Sequence, residues 1–396
     1  MISAASRPYI DASVPVLRQH GLAITTTFYR NLFCAHPELS NLFNMGNQAS
    51  GAQQQSLASA VFAYAANIDN PAALGPVIKR IVHKHVSIGI RAEHYPIVGH
   101  YLLGAIAETL GDAATAPLLA AWDEAYGALA ALFIDAEKAL YASAGIAPGQ
   151  TRAMRVSAVV QQGVDIKSIR FHAVDGAQMP AFEAGQYVSV TVDFADGHRQ
   201  LRQYSLSDAP GDSMRISVKR EAAGDATPAG EVSNWIHDHV AVGGTLQVSP
   251  PFGEFAIDTA SDAPLVLLSA GVGIAPMIAA LNMIARNRPQ RSVIFGHAAR
   301  DAAHQAHGDD IAAAKAAMPN LRVVTFHETV DAASAALPGF MDVAALPAWP
   351  RSEANVYLCG PLPFMQAQWS NLVSAGVPLT RLHREVFGPD MLDHLL

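Results

Sequence analysis

Three hydrophobic rhythms follow one another along the 396 residues, so the chain cannot fold as one repeated unit. Residues 15–33, 53–68, 76–87, 96–110 and 117–141 carry apolar positions at helical spacing, and several of these runs open on proline, which suits a first helical turn. From Met154 the rhythm shortens to alternating runs at 155–160, 187–192 and 214–219, the pattern of half-buried strands. From Pro264 it changes again, to apolar strands at 265–269, 292–296, 322–326 and 355–359 with helical stretches between them. Such strands suit a parallel sheet covered on both faces. The expected fold is therefore multidomain, all-α, then antiparallel β, then α/β. We place the domains at 1–141, 152–258 and 259–396. The linker falls within 142–151, where two glycines and Pro148 interrupt the pattern.

Composition narrows the function classes. Hydrophobic residues make up 51% and charged residues 15%, which is a globular balance. With 26 Lys+Arg against 34 Asp+Glu, the net charge of −8 argues against a nucleic-acid binder. The two cysteines, Cys34 and Cys359, lie too far apart for a zinc ribbon, a thiolate cluster or a covalent haem motif. They also make a disulfide-stapled secreted domain a poor fit, so a cytoplasmic protein is expected. Residues 1–11 lack the apolar stretch of a signal peptide. The uncharged run 263–285 has a membrane-like length, but Gly271, Gly273 and Pro276 break it into strand, turn and helix. No stable membrane insertion is expected, and the chain reads as a monomer.

The helical third offers a polar pocket. On the helix at 76–87, Ile78, Ile81, Val82 and His85 share a face, while His83 points the other way. A histidine on an apolar stripe needs a hydrogen bond or a metal. Taken alone, His85 reads more readily as a buried structural histidine than as a ligand. On the preceding helix, Gln53 and Leu57 begin a strip that continues through Val61 and Tyr64. There an amide can reach a polar ligand, or simply open a solvated helix.

The other two thirds carry nucleotide signals. In Arg202-Gln203-Tyr204-Ser205, strand alternation puts the arginine fork and the aromatic ring on one side, suited to a pyrophosphate and a flat ring. Downstream, Gly230-Glu231-Val232-Ser233 introduces a helix whose free N–H groups suit a phosphate. Leu265–Ser269 runs into Gly271-Val272-Gly273-Ile274-Ala275-Pro276, a GxGxxP turn and only a partial match to the dinucleotide fingerprint. A later strand ends in Cys359-Gly360-Pro361.

The residues Phe28-Tyr29, Pro37-Glu38-Leu39, Leu42-Phe43-Asn44-Met45, Gln53, Leu57 and Lys84-His85 resemble the globin domain of bacterial and fungal flavohaemoglobins. The likeness continues through Tyr95-Pro96, Ala121-Trp122 and the whole reductase part. By that resemblance the fold is a globin, then a β-barrel flavin domain, then a doubly wound nicotinamide domain. The cofactors implied are non-covalent haem b, FAD, and NADH or NADPH.

His85 would be the proximal iron ligand, backed by Tyr95 and Glu137. Phe43, Leu57 and Lys84 would line the haem pocket, with Tyr29 and Gln53 on the distal side. The flavin would meet Tyr187, Arg202, Gln203, Tyr204, Ser205, Glu231, Val232 and Ser233. It would also meet Val386, Phe387, Gly388 and Pro389, where the family often has Cys in place of Val386. The nicotinamide nucleotide would meet Gly271, Val272, Gly273, Ile274, Ala275, Pro276, Cys359 and Gly360.

The activity implied is nitric oxide dioxygenation, in which NAD(P)H reduces FAD, FAD reduces haem, and O₂ and NO yield nitrate. Two alternatives share the same electron path: an oxygen-binding or redox-sensing protein, and a peroxide reductase. A lipid in the distal pocket and a choice between NADH and NADPH stay open. One arginine, Arg300, follows the strand at 292–296 as a candidate 2′-phosphate partner.

Overall fold

Residues 2–224, 227–330 and 334–389 are described by a computed structural model of the chain. Six helices come first: α1 (Arg7–Ala35), α2 (Met45–Ala49), α3 (Ala52–Ala66), α4 (Gly75–Ile88), α5 (His94–Leu110) and α6 (Ala116–Ala144). The first starts earlier than its proline suggested. Pro8 occupies the first turn and Pro15 lies inside the helix, which runs on because Ile10, Leu17 and Ile24 bury into one core across it. At the other end α6 runs past Tyr141 to Ala144 and stops at Gly145, whose φ of 64° is left-handed. The expected linker is thus partly helical. Helix α6 has the length and apolarity to cross a membrane, but it packs on α1, α4 and α5.

Six strands then form an antiparallel sheet: β1 (Arg152–Gln161), β2 (Ile166–Ala173), β3 (Tyr187–Asp193), β4 (Arg199–Ser205), β5 (Met214–Lys219) and β6 (Thr245–Val248). Their order is β4-β3-β6-β1-β2-β5, and a bridge between Leu206 and Ile216 joins the two outer strands into a barrel. Helix α7 (Glu231–His239) caps its core of Val188, Ile169, Phe171 and Ile216. The Leu206–Ile216 bridge brings the two outer strands together and leaves less unpaired edge exposed.

The last third is a parallel sheet of β7 (Leu265–Ala270), β8 (Val293–Ala299), β9 (Leu321–His327), β10 (Leu337–Pro338), β11 (Asn355–Cys359) and β12 (Leu382–Glu385). Helices α8 (Ile274–Asn287), α9 (Gly308–Ala317) and α10 (Leu362–Ser374) lie between its strands. The order β10-β9-β8-β7-β11-β12 reverses direction at β7. In such sheets ligands bind outside the carboxyl ends of the strands at that reversal. Both faces are covered: Leu267, Phe295 and Tyr357 pack toward α8, and Val266, Ile294 and Leu358 pack the other way.

The helical part and the β-barrel that follows it touch closely. Gly89 and Gly149 approach so tightly that a Cβ on Gly89 would stand 2.6 Å from Gly149 Cα. Val86 and Tyr141 of the helical part share an apolar cluster with Tyr187 and Phe252 of the barrel.

Candidate functional site: a haem pocket joined to a flavin and nicotinamide crevice

Helix α4 presents His85 toward α5 and α6. Its Nδ1 lies 2.7 Å from Glu137 Oε1 and 3.1 Å from the Tyr95 hydroxyl, which itself donates to the same Oε1 at 2.6 Å. Glu137 is 3% exposed, deeper than a helix-edge position suggested. A buried carboxylate needs donors, and these two side chains supply them. With Nδ1–H donating to the carboxylate, the ring keeps its lone pair on Nε2, as a metal ligand requires. Burial, then the adjacent Glu137, holds the Tyr95 hydroxyl protonated far above neutral pH. Tyr126 donates to the Tyr95 carbonyl at 2.7 Å, and Gly99 leaves room for that ring.

On α1 and α3, Tyr29 and Gln53 meet as a second polar pair. The Gln53 amide donates to the Tyr29 hydroxyl at 3.3 Å. Tyr29 is buried within an aromatic group of Phe28, Phe33 and Phe43, with ring centroids 4.8–5.7 Å from its own. Burial pushes its hydroxyl up to about 12, so it stays a donor. Phe43 and Leu57 are half-buried against the same core.

In the barrel, β4 holds Arg202 and Tyr204 opposite Val190 and Val188 of β3, two residues apart and therefore on one side. Arg202 donates to Gln200 Oε1 at 2.9 Å and to the Leu201 carbonyl at 2.7 Å, and Glu231 adds an opposite charge nearby. The helix α7 begins there, at Gly230; a Cβ on that glycine would strike Ser233 Oγ at 2.6 Å. Ser205, Val232 and Ser233 are buried beneath the turn, whereas Glu231 is exposed and pairs with His198 at 2.6 Å. The structure thus brings β4 and the start of α7 together. Tyr187 opens β3 and shares the interdomain cluster with Val86 and Tyr141.

The turn Gly271–Gly273 leaves β7, and Cys359-Gly360 leaves β11, at the reversal of the sheet. Gly271 has φ 54°, and a Cβ on Gly273 would lie 2.3 Å from the Cys359 carbonyl oxygen, so only glycine fits. Ile274, Ala275 and Pro276 are buried at the start of α8, and Val272 is half-buried above them. Cys359 is fully buried, and burial raises its thiol well above its ordinary value. Val386, Phe387, Gly388 and Pro389 follow β12, with Phe387 45% exposed.

Sequence reasoning missed how the two halves lock. Lys84 bonds the Gln203 side-chain carbonyl, and the Gln203 amide donates to Ser189 Oγ at 3.1 Å. Ser189 in turn donates to the Ser87 carbonyl at 2.7 Å, so the barrel grips α4 on both sides of His85. His83 accepts the Gly253 N–H at 3.0 Å, and Arg80 pairs with Glu254 at 2.8 Å. The only sequence signal was that His83 faces away from His85. Glu385, level with Cys359 at the end of β12, closes the same junction; burial, reinforced by Glu254, raises its carboxyl to about 8.

The Globin family matches residues 26–133, and the family described as oxidoreductase NAD-binding domain matches residues 267–369. A flavohemoprotein of Chromobacterium violaceum is 47% identical across 98% of both chains. The chain belongs to the flavohemoprotein family. A flavohemoprotein of Rhizobium meliloti is 42% identical over 99% of both chains. The crystal structure of a Malassezia yamatoensis flavohemoglobin, with bound FAD and heme, superposes with a TM-score of 0.83 at 30% identity. It covers 98% of this chain and all of that one. The FAD/NAD-binding domain of a Vibrio cholerae nitric oxide dioxygenase gives a TM-score of 0.57 at 33% identity, covering 61% of this chain and all of that domain. This flavohemoprotein is an oxidoreductase: a globin followed by a reductase module of one antiparallel and one parallel sheet.

Proposed function

We propose that this flavohemoprotein is an NAD(P)H-dependent nitric oxide dioxygenase, using O₂ to convert NO to nitrate. The observation that carries the reading is the buried Glu137 tied to His85 and Tyr95. A carboxylate behind a ligating imidazole pushes electron density toward the metal, which favours oxygen chemistry over reversible carriage. When bound, haem supplies the oxygen chemistry and FAD divides a hydride into single electrons.

The residues present fit these groups. His85 Nε2 has the lone pair to hold iron, and Phe43 and Leu57 supply an apolar wall. Tyr29, which accepts from Gln53, would keep its own O–H free to donate on the distal side, where a polar ligand would gain from fixed dipoles already in place. The Gly230 turn and Arg202 suit a flavin pyrophosphate, with Tyr204 beside them for the ring. The Gly271–Gly273 turn suits the nicotinamide nucleotide, and Cys359 and Glu385 stand at the junction where a hydride donor would meet the flavin. Gln203 and Lys84 bridge that junction to α4. The same reading has the protein cytoplasmic and monomeric, with a lipid as a further occupant of the distal pocket.

The test is a spectrum of the purified, cofactor-loaded protein during anaerobic addition of NADH, followed by aerobic NO and nitrate analysis. Reduction of both chromophores and one nitrate per NO consumed is the expected result. Reduction without NO-dependent nitrate would return the protein to the oxygen-binding or peroxide-reducing readings.

A further inference from the structure

At the carboxyl ends of β8 and β9, the sheet offers the corner beyond the Gly271–Gly273 turn. In doubly wound sheets the adenosine ribose of a dinucleotide reaches the end of the strand next to the glycine turn. An acid there favours NAD, and an arginine there favours NADP. In segments 299–304 and 327–330, which form this corner, Arg300 is the only arginine or lysine. Its guanidinium is engaged. Arg300 Nη2 lies 3.1 Å from Asp165 Oδ2, a residue of the flavin barrel and not of the nucleotide domain.

Asp165 is held in place from both sides. Its neighbour Val164 donates its N–H to the Ala303 carbonyl at 2.9 Å, and its own carbonyl accepts from Arg220 N–H at 2.7 Å. Gly163 packs on the same Ala303 carbonyl, 3.1 Å from where a Cβ would be. The Asp165 side chain is 20% exposed against 60% for Arg300, so the acid is the fixed member and the arginine the mobile one. Two further acids stand at the corner. Asp301 caps the turn after β8 through the His304 N–H at 3.0 Å, and Glu328 follows β9, with its N–H on the Ala299 carbonyl at 3.2 Å. The Asp301 carboxylate also meets His304 Nδ1 at 2.7 Å, so the acid that faces Arg300 itself is Asp165.

We propose that Asp165 is a coenzyme-selecting residue: it draws Arg300 away from the ribose, so the crevice takes NADH in preference to NADPH. This rests on the reading of the crevice as a nicotinamide-nucleotide site. A 2′-phosphate carries close to two negative charges at neutral pH. To bind it, Arg300 must leave Asp165, and the phosphate then faces the carboxylate that Arg300 had neutralised. Ribose hydroxyls meet no such opposition, and the carboxylates can accept from them. An ion pair this exposed is weak, which keeps the effect to a several-fold one.

The experiment is calorimetric titration of the haem- and FAD-loaded full chain with NAD⁺, NADP⁺ and 2′,5′-ADP. Wild type should bind NAD⁺ more tightly than NADP⁺. Asp165→Asn should narrow the ratio of the two dissociation constants by about 5-fold and tighten 2′,5′-ADP. Adding Arg300→Gln to Asp165→Asn should abolish that gain, whereas Arg300→Gln alone should change NADP⁺ affinity less than about 2-fold. A wild-type preference for NADP⁺, an unchanged ratio in Asp165→Asn, or a gain that survives in the double variant would overturn the proposal. Should Asp165→Asn fail to retain its cofactors, Arg300→Gln alone decides, since a large loss of NADP⁺ affinity would mean the arginine was available all along. Failure of wild type to bind any of the three nucleotides would overturn the proposal together with the dinucleotide reading, and is distinguishable because no ratio could then be formed.

Discussion

His85 in the globin half and His297 in the reductase half both sit among apolar neighbours, and they are held differently. His85 has a carboxylate at 2.7 Å and a tyrosine hydroxyl at 3.1 Å on Nδ1. Among the described residues His297 has only the Ser269 hydroxyl, 2.9 Å from Nδ1, and its buried Nε2 has no partner. Two more histidines, His307 and His327, are buried nearby and disfavour a positive charge on it. A charge partner prepares an imidazole to donate electrons, while isolation from charge keeps it neutral and structural. Burial separates them as well, since His297 is fully enclosed and His85 keeps 30% of its side chain exposed, but what lies behind each ring decides its chemistry.

The contrast is broken most directly by removing the charge and keeping the shape. Glu137→Gln should lower NO turnover by about 10- to 100-fold, the usual cost of altering a hydrogen-bond partner behind a metal ligand. Oxygen affinity should move far less. Because a packing defect would also slow turnover, resonance Raman of the reduced protein is the deciding measurement. The iron–histidine stretch should fall in frequency if Glu137 acts through His85. An unchanged stretch with unchanged turnover would reduce Glu137 to a core residue and remove the main support for the dioxygenase.

His297 gives the opposite kind of test. Burial, helped by the neighbouring histidines, lowers it to about 3 from an ordinary 6.5. Between those values the unfolded chain binds the proton and the folded chain does not, so stability rises with pH. The contribution is complete above pH 6.5 and is lost as pH falls toward 3. The slope cannot exceed about 1.4 kcal/mol per pH unit from this group, or roughly a tenfold change in the unfolding equilibrium per pH unit. The reductase transition in calorimetry should therefore fall steeply in acid, and His297→Gln should flatten it. An equal slope in the variant would assign the acid sensitivity elsewhere.

How much of this was legible in the sequence follows from how far each partner lies along the chain. The face of α4 that carries His85 was readable from helical spacing, and so was the alternation that puts Arg202 beside Tyr204. The glycine turn after β7 was readable too, because each of these is a local pattern. Glu137 was visible only as a helix-edge acid until the family resemblance gave it a role. Its burial depends on α6 crossing α4, which no local period records. The bridges Lys84–Gln203 and Asp165–Arg300 join residues 119 and 135 positions apart across domain boundaries. Lys84, Gln203 and Arg300 were each singled out for a ligand, but nothing in the sequence marked these pairings. Pro15 misled because a proline inside a helix and one at its start look alike when the residues before it are also helix formers.

The smallest expected effect sharpens the comparison from the distal side, where the polar pair is neutral. Tyr29→Phe removes one hydroxyl, leaves the aromatic packing with Phe28, Phe33 and Phe43, and deprives Gln53 of its acceptor. A single neutral hydrogen bond is worth about 1 kcal/mol, so oxygen should dissociate about 5-fold faster in stopped-flow measurements. The iron–histidine stretch should stay where it is, since nothing behind His85 has changed. A loss as large as that of Glu137→Gln would mean the distal hydroxyl, and not the carboxylate behind His85, contributes most to the chemistry. The two substitutions therefore divide the site by side: one should move the stretch and turnover, the other only the lifetime of the oxygen ligand.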